Sequence, residues 1–508
     1  MADRTKHSAR NMAVGMATQL FTLLLNFASR TVFILFLSEE YLGINGLLSN
    51  VLTVLSFAEL GIGNAMTYAM YKPVKENNRK LVNQLMRLYK KAYTAIALFV
   101  GAMGLFLSFF LDYIVDNPPE IPENFQIIFW LFVLNNMASY LLTYKKSILI
   151  AYQEDYIISC VQQVVSIVQI LLQMLFLYLT RQYYLYLMIQ IVMTVINNFL
   201  IAGIVKTRYP WLNERETDPL PEETTRRIVT DVKALSISKV AGVISNGSDN
   251  IVISKLIGLK AVGLASNYVM VINSANALIW TGLSNMTSSF GNFNVDSSVE
   301  QKRRLFDELF LCSYWIYAFL TIGLATLINP FIELWIGPRF LLPPEVVLAL
   351  ILITYIGGVN FPVYTYQTTL GMFDKMKYPY LVSGIFNIVL SIILGKKWGI
   401  FGVYIATSIT RICASEAAGG YYVYRDGLKL PVKQYVAKYV GAFFLLLLNG
   451  SITLFAVNVI QIPGIVGFVA KVFVCSIVCN GLYLLFFFRT NAFKNLTERL
   501  IRLLKRRG

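Results

Sequence analysis

Residues 464–488 read GIVGFVAKVFVCSIVCNGLYLLFFF, an apolar run whose single charge is Lys471. A helix needs about 20 such residues to cross a bilayer, and helices satisfy their own backbone hydrogen bonds there. Similar runs fill the chain from about Asn11 onward, and of its 508 residues 56% are hydrophobic and only 14% charged. The chain is predicted to be an all-α polytopic membrane protein with about fourteen transmembrane helices. The predicted spans are 11–37, 41–71, 92–115, 124–150, 155–180, 183–205, 229–255, 261–290, 305–328, 345–371, 378–395, 398–424, 434–460 and 464–488.

Positive charge is distributed unevenly between the connections. Most of the 44 Lys and Arg residues lie in the N-terminal tail, in every second connection and in the C-terminal tail. The positive-inside rule therefore predicts that both termini are cytoplasmic. The net charge of +16 follows from this orientation and does not indicate nucleic-acid binding. The outer segments, which are the outside connections with the adjoining span ends, contain only Arg181, Lys255, Lys260, Arg339, Lys396, Lys397 and Lys471.

Two polar connections divide the chain. The longest, residues 207–228, follows six spans and contains three prolines, and a second follows the twelfth span. The predicted organisation is two six-helix lobes plus two C-terminal helices. The boundaries are an N-terminal lobe at 1–206, a cytoplasmic linker at 207–228, a C-terminal lobe at 229–424, helices 13 and 14 at 434–489, and a tail at 490–508. The tail is predicted to be a basic amphipathic helix on anionic lipid, or else a solvated tail.

A weak internal repeat supports two related lobes. Residues 29–34 read SRTVFI and precede YLGI at 41–44, while residues 248–253 read SDNIVI and precede AVGL at 261–264. The glycines Gly43 and Gly263 hold equivalent places. Six-helix repeats keep the same membrane orientation, and transporters commonly bind cargo at the interface between such repeats.

Basic residues inside the spans indicate an anionic cargo. An ionisable side chain at the bilayer centre costs at least ~2.5–3.5 kcal/mol, so such residues usually line a cavity or face a partner. Arg30, Lys239 and Arg411 are predicted to bind cargo in a central cavity. Arg411 lies at the midpoint of span 12, and arginine suits bidentate contacts with phosphate. The alternatives are snorkelling for Arg30 and polar helix packing for Lys239.

Acidic residues inside the spans are candidates for a gate or for ion coupling. Asp249, Glu59 and Glu416 form this set, with either a proton or a sodium ion as the coupling ion. An Arg30–Asp249 pair between the lobes would be one form of gate. Glu416 follows Arg411 by five residues, only loosely on the same helix face, and is alternatively its structural partner. The alternative for Glu59 is that it accepts hydrogen bonds from a neighbouring helix. Lys145 and Lys146, near the inner end of span 4, are interpreted as orientation charges.

Several classes of function are disfavoured by the sequence. The chain has one histidine, His7 in the polar N-terminal tail, so neither a metal site nor histidine-based catalysis is expected. No catalytic residue and no cofactor are predicted. A polysaccharide polymerase or ligase would need larger outer loops, and a pure scaffold would not need the polar span 7. Span 10 contains GGVNFP at 357–362, which predicts a kink.

Short motifs occur along the chain: SRT at 29–31, YLGINGL at 41–47, FAELGIG at 57–63, SDNIVIS at 248–254, VGLASNY at 262–268, NPFIELW at 329–335, and GIFGVY at 399–404 followed by Thr410-Arg411. In this order they resemble the motifs of Wzx-type polysaccharide flippases, which belong to the multidrug/oligosaccharidyl-lipid/polysaccharide exporter superfamily. The resemblance covers essentially the whole chain.

This resemblance implies alternating access that moves a polyprenyl-diphosphate-linked oligosaccharide from the cytoplasmic to the outer leaflet of a bacterial cell membrane. It also implies that Arg30, Lys239 and Arg411 contact the diphosphate or acidic sugars. Membrane lipids, a polysaccharide polymerase and glycosyltransferases are the expected partners. A drug or cation antiporter of the same superfamily is the alternative, and it would favour carboxylates and aromatic residues over cations.

Overall fold

The computed structural model describes residues 21–55, 59, 62–111, 121–213, 220–222, 224–226, 228, 232, 248–296 and 298–505. Within these ranges every regular element is helical and none is a strand, which confirms the all-α prediction for this part of the chain. The protein forms two compact units. The first comprises Met1–Val243 and Gly258–Gly263, and the second comprises Ile244–Ile257 and Leu264–Gly508. The predicted linker at 207–228 stays a prediction, since much of it lies outside the described residues.

The helices of the first unit surround a core rich in tyrosine, in which the rings of Tyr89 and Tyr93 stack with their centres 5.9 Å apart. Asparagine caps begin two of its long helices, because the Asn78 and Asn124 side chains accept hydrogen bonds from first-turn backbone N–H groups. The helices are α1 (Phe21–Phe36), α2 (Glu39–Leu55), α3 (Ile62–Lys75), α4 (Arg79–Ser108), α5 (Phe125–Tyr140), α6 (Lys146–Ala151), α7 (Asp155–Thr180) and α8 (Tyr183–Arg208).

The second unit has its own core, in which Tyr314, Tyr317 and Tyr366 are almost fully buried. A capping box of Ser298 and Gln301 begins its longest uninterrupted helix. The helices are α9 (Asp249–Leu256), α10 (Leu259–Asp296), α11 (Val299–Ile336), α12 (Pro344–Val359), α13 (Phe361–Thr369), α14 (Phe373–Thr410), α15 (Ala417–Tyr422), α16 (Val432–Asn458), α17 (Gly464–Phe487) and α18 (Asn491–Lys505). The first turn of α10 belongs to the first unit.

The number of membrane spans differs from the prediction. Nine helical stretches among the described residues are long and apolar enough to cross a bilayer, or ten if α12 and α13 form one broken span. The predicted count of fourteen is therefore not confirmed. One reason is that α1 is too short to qualify within the described residues. Another is that most of predicted span 7 lies outside them. The axes of α12 and α13 differ by 41°, which confirms the kink predicted in span 10.

A helical hairpin is built into one of these stretches, Lys375–Gly427. Its 53 residues would extend about 80 Å if straight, far more than a bilayer core. Gly399 interrupts it with φ 61° and ψ −140°, a conformation that only glycine adopts readily. A Cβ on Gly402 would overlap the carbonyl oxygen of Leu394, so the chain has turned back on itself. The two arms of α14, before and after Gly399, therefore agree with predicted spans 11 and 12.

The two repeat glycines meet each other in the first unit. A Cβ on Gly43 would overlap the carbonyl oxygen of Leu259, and a Cβ on Gly263 would overlap that of Glu39. Gly43 therefore packs on the residue four positions before Gly263, and Gly263 packs on the residue four positions before Gly43. Such a reciprocal contact is expected between two segments related by a two-fold axis. Lys260 adds an ion pair to Glu39 at 3.0 Å. The sequence repeat therefore corresponds to a close backbone contact between α2 and the first turn of α10.

The C-terminal segment forms the predicted helix, α18. Phe493 in its first turn stacks on Trp315 of α11, with ring centres 6.0 Å apart. The Trp315 indole N–H donates to Asn480 of α17 at 2.8 Å. The beginning of this tail is therefore anchored on the second unit.

The hairpin contact generates a stability prediction. Gly402→Ala places a methyl group against the Leu394 backbone, which cannot yield as a side-chain tip would, so we expect a cost of ~1–3 kcal/mol. Thermal unfolding in detergent should show a lower midpoint. Gly323→Ala is the matched control, because a Cβ there meets no atom within 4 Å. Equal midpoints for the two variants would contradict the hairpin contact.

Candidate functional site

A buried polar network surrounds Asp249 in the second unit. Asp249 is the first residue of α9, and the Thr407 hydroxyl on the second arm of α14 lies 3.1 Å from each of its carboxylate oxygens. Asn387, on the first arm, donates from Nδ2 to Thr407 Oγ1 at 2.8 Å. Hairpin formation at Gly399 brings Asn387 and Thr407 together across 20 residues of chain. The carboxylate therefore lies at the junction of three helical segments.

Further oxygen atoms extend this network. Ser248 donates to Asn387 Oδ1 at 3.1 Å, and Thr407 Oγ1 lies 3.3 Å from the carbonyl oxygen of Val403. Ser391 lies one helical turn after Asn387. Its hydroxyl is fully buried and has no hydrogen-bond partner among the described residues. A buried hydroxyl without a partner is costly, so Ser391 itself has unused capacity to bind a polar group.

Arg411 lies where the second arm of α14 changes to a π-helix. Residues Arg411–Glu416 form this π-helix, in which hydrogen bonds link residues five apart. The wider turn corrects the prediction that Arg411 and Glu416 share a face only loosely. Arg411 interacts electrostatically with both Glu416 and Asp249. The structure therefore brings together three of the predicted site residues, with one cation that interacts electrostatically with two carboxylates.

The kinked span adjoins this group of charges. A Cβ on Gly357 would lie 3.7 Å from Arg411 Nη1, so the guanidinium lies against the end of α12. Asn360, at the bend, is buried and donates to the Ile356 carbonyl at 2.9 Å. The Tyr435 hydroxyl of α16 lies within hydrogen-bonding distance of two acceptors, Asn360 Oδ1 at 3.3 Å and the Glu416 carbonyl oxygen at 3.1 Å. The kink and the π-helix are thus held together by hydrogen bonds.

Arg30, in the first unit, has an aromatic environment. It is half-buried on α1 and interacts electrostatically with Tyr186 of α8. The Tyr186 ring packs against Phe33, with centres 5.4 Å apart, and Gln173 donates to the Tyr186 carbonyl at 3.1 Å. The predicted Arg30–Asp249 pair stays a prediction.

Glu59 lies in a second polar cluster of the first unit. Tyr93 of α4 donates to its carboxylate at 3.4 Å, and Lys146 at the start of α6 interacts with it electrostatically. Tyr89 donates to the Gly63 carbonyl at 2.7 Å beside them. Interpreting Lys146 as an orientation charge alone missed this interaction. The chain separation of more than 80 residues left no local pattern that would have indicated it.

The remaining site predictions have different outcomes. Lys239 lies outside the described residues. No group of three or more His, Cys, Asp or Glu side chains suited to a metal ion occurs in the described part of the chain. Sequence reasoning missed Thr407, Asn387 and Ser391, because hydroxyl and amide residues are frequent in membrane helices and only the hairpin distinguishes these three.

A family model and several solved structures match this chain. The model described as polysaccharide biosynthesis protein matches residues 8–284, more than half of the sequence. No curated protein sequence matches it.

The solved structures are similar in fold and distant in sequence. One is the lipid II flippase MurJ in an inward closed conformation, with TM-score 0.68 and 14% identity over 93% of this chain and 98% of that one. A second is an inward-facing multidrug resistance MATE family transporter of the MOP superfamily, with TM-score 0.62 and 12% identity. The match covers 82% of this chain and 99% of that one. A MOP superfamily transporter from Pyrococcus furiosus matches with TM-score 0.54 and 12% identity, over 82% of this chain and 95% of that one. The family match confirms the resemblance to polysaccharide biosynthesis proteins, and these solved structures show a shared fold.

The Asp249 network generates a stability prediction. Thr407→Val keeps the side-chain shape but removes the hydroxyl that links Asp249 and Asn387, leaving buried polar groups unsatisfied at ~1–3 kcal/mol. We expect a lower unfolding midpoint in detergent. Thr368→Val is the control, because the Thr368 hydroxyl bonds only to carbonyls of its own helix. An unchanged midpoint for Thr407→Val would argue against a linked network.

Proposed function

The chain belongs to the polysaccharide biosynthesis protein family, and on this premise we propose that it is a flippase for a lipid-diphosphate-linked oligosaccharide. The cargo would move from the cytoplasmic to the outer leaflet of a bacterial cell membrane by alternating access. Its product would supply the synthesis of a cell-surface polysaccharide, with a polymerase and glycosyltransferases as functional partners. The fold shared with a lipid II flippase supports this class of cargo.

The observation that carries the proposal is the position of Arg411. Its guanidinium lies against a kinked helix, within a span and beside two carboxylates. A membrane-embedded arginine is costly to bury and usually belongs to a substrate pathway. Guanidinium groups bind phosphate oxygens in a bidentate manner, so a diphosphate is a suitable ligand. Arg30, also half-buried, would contribute a second positive charge, and Lys239 stays a proposed third.

Competition for Arg411 offers a mechanism for ion coupling. While the cargo is absent, Arg411 offsets the charges of Asp249 and Glu416. A bound diphosphate would attract Arg411 and weaken that compensation. Asp249 would then need a proton or a metal cation to offset its charge within the membrane. Cation and cargo would therefore bind cooperatively, and linkage requires each to raise the affinity of the other by the same factor.

The atoms around Asp249 fit a hard cation or a proton. The Asp249 carboxylate, the Thr407 hydroxyl, the Asn387 amide and the Val403 carbonyl supply oxygen atoms, which sodium-like cations prefer over nitrogen and sulfur. Protonation of the carboxylate would serve the same electrostatic purpose. Glu59, beside Lys146 and Tyr93, is the second proposed coupling residue.

Conformational change would use the irregular backbone near these residues. π-helical turns and kinks often occur at functional positions, because their hydrogen bonds rearrange at lower cost than those of a regular helix. Arg411 begins such a π-helix, Arg411–Glu416, and the kink at Asn360 lies close to it. Binding at Arg411 is therefore proposed to change the bend between α12 and α13.

A drug or cation antiporter is the second candidate function. The carboxylates of Asp249 and Glu416 favour it, as does the fold shared with a MATE transporter. In that case Arg411 would be a structural counter-ion of the two carboxylates. Flux of a labelled lipid-linked oligosaccharide against flux of an organic cation separates the two candidates.

The anion-binding role predicts selective loss of transport. Arg411→Ala and Arg30→Ala should each slow appearance of lipid-linked oligosaccharide in the opposite leaflet of proteoliposomes by about tenfold to hundredfold. The estimate follows from losing a charged hydrogen bond worth ~1.5–3 kcal/mol. Arg339→Ala is the control, since Arg339 is exposed outside the spans. Wild-type rates for both test variants, at normal protein levels, would refute the assignment.

The coupling role predicts which gradient matters. Transport by wild-type protein should respond to an imposed sodium gradient or to an imposed pH gradient. Asp249→Asn, which removes the charge and keeps the shape, should abolish that response while leaving downhill exchange measurable. Glu59→Gln is tested in parallel as the second coupling candidate. An Asp249→Asn protein that responds to gradients like the wild type would exclude Asp249 from coupling.

A further inference from the structure

A large cavity opens in the second unit, away from Arg411 and Asp249. Its volume is about 960 Å³, and α11, α16 and the beginning of α18 line it, together with the end of α17. Helix α16 begins at Val432 and α17 ends at Phe487, so the cavity lies at the level where these spans leave the membrane. The charge distribution predicts that this is the cytoplasmic side.

The walls of the cavity combine apolar and charged side chains. Phe310, Leu311, Leu445 and Phe487 contribute apolar surface. This part would accept hydrocarbon. Gly441 of α16 also lines the cavity, and a Cβ there meets no atom within 4 Å. The wall at Gly441 is therefore open to additional volume.

The rim is charged, with a cationic excess. Four cations line it, Arg303, Arg304, Lys438 and Lys494. Three acids line it as well, and two of them already have partners: Asp307 pairs with Lys438, and Glu300 lies 3.6 Å from Arg303. The third, Glu498, also takes part in an interaction.

Two of the four cations have a structural role and two face outward. Arg303 donates to the carbonyls of Leu428 and Lys429 at 3.1 and 2.9 Å and so fixes the connection before α16. Lys438 lies 4.4 Å from the centre of the Phe310 ring. Arg304 and Lys494 are exposed on the rim. The first turn of α18 lines the cavity too, and the positive end of a helix dipole favours an anion.

We infer that this cavity binds the headgroup and the upper part of one acyl chain of an anionic phospholipid. The lipid phosphate lies between Arg304 and Lys494 at the start of α18, and the chain follows the apolar wall toward Leu445. Basic pockets between membrane helices on the cytoplasmic side are typical sites for such lipids. A water-soluble anion would not use the apolar wall, and an uncharged lipid would not use the rim.

The site would tie α18 to the membrane. Phe493 already anchors its first turn on Trp315, and a bound phosphate would add a charged contact through Lys494. The inference is independent of the cargo, because none of these residues belongs to the proposed transport site.

Native mass spectrometry of the purified full-length protein, titrated with dioleoyl phosphatidylglycerol in detergent, tests the site. Wild-type protein should retain one phosphatidylglycerol at about tenfold lower concentration than it retains phosphatidylcholine. Gly441→Phe fills the cavity and should lose this preferential binding. Gly481→Phe is the matched control, because a Cβ on Gly481 also meets no atom within 4 Å but the residue does not line the cavity.

A rim variant guards against a folding defect in Gly441→Phe. Arg304→Gln combined with Lys494→Gln should reduce the preference for phosphatidylglycerol to that for phosphatidylcholine, without altering the unfolding midpoint in lipid-free detergent. Glycerol phosphate, which has the anion but no chains, should not protect the wild type from unfolding, whereas phosphatidylglycerol should. Undiminished phosphatidylglycerol binding by both variants, equal binding of the two lipids by the wild type, or equal protection by glycerol phosphate would overturn the inference.

Discussion

The cost of placing a charge in hydrocarbon constrains the second unit more than any other interaction. Asp249 and Arg411, both within segments predicted from the sequence to span the membrane, each have polar or charged neighbours. For Asp249 the neighbours are Thr407 and, through it, Asn387. For Arg411 they are the two carboxylates. Removing one partner leaves another charge uncompensated, so these residues act as a set. A cargo that attracts Arg411 must alter the energy of both acids.

Backbone irregularities make this set of contacts possible. A regular helix would place Arg411 and Glu416 on different faces, and the π-helix brings them together. A straight helix would hold Asn387 and Thr407 about 30 Å apart, and the turn at Gly399 brings their side chains within 2.8 Å. Gly357 of α12 lies beside the guanidinium, where an added Cβ would make only ordinary contact. The turn at Gly399 and the π-helix thus assemble the site.

Features with a long or strong sequence signal could be predicted. The all-helical membrane class followed from the apolar runs, and the kink at 357–362 followed from its glycines and proline. The paired glycines of the repeat, Gly43 and Gly263, were singled out by sequence and make a close contact. The count of fourteen spans was not confirmed, because α1 is too short to qualify within the described residues and most of predicted span 7 lies outside them.

Contacts that depend on tertiary geometry could not be predicted. Thr407 and Asn387 are ordinary membrane-helix residues until the hairpin places them beside Asp249. The Arg411–Glu416 interaction depends on a π-helix that five-residue spacing does not reveal. Lys146 meets Glu59 across more than 80 residues, and its position near a span end made orientation the simpler interpretation. In each case the sequence gives the type of side chain but does not indicate which residue lies next to it in space.

Equilibrium binding to the wild-type protein in nanodiscs tests the central claim most directly, namely that a membrane-embedded guanidinium binds an anionic cargo. The ligands to compare are a polyprenyl-diphosphate-linked oligosaccharide and a lipophilic organic cation. The account predicts that the diphosphate lipid binds, that inorganic diphosphate competes with it, and that the cation does not bind. Saturable binding of the cation without binding of the diphosphate lipid would contradict the account and favour the antiporter.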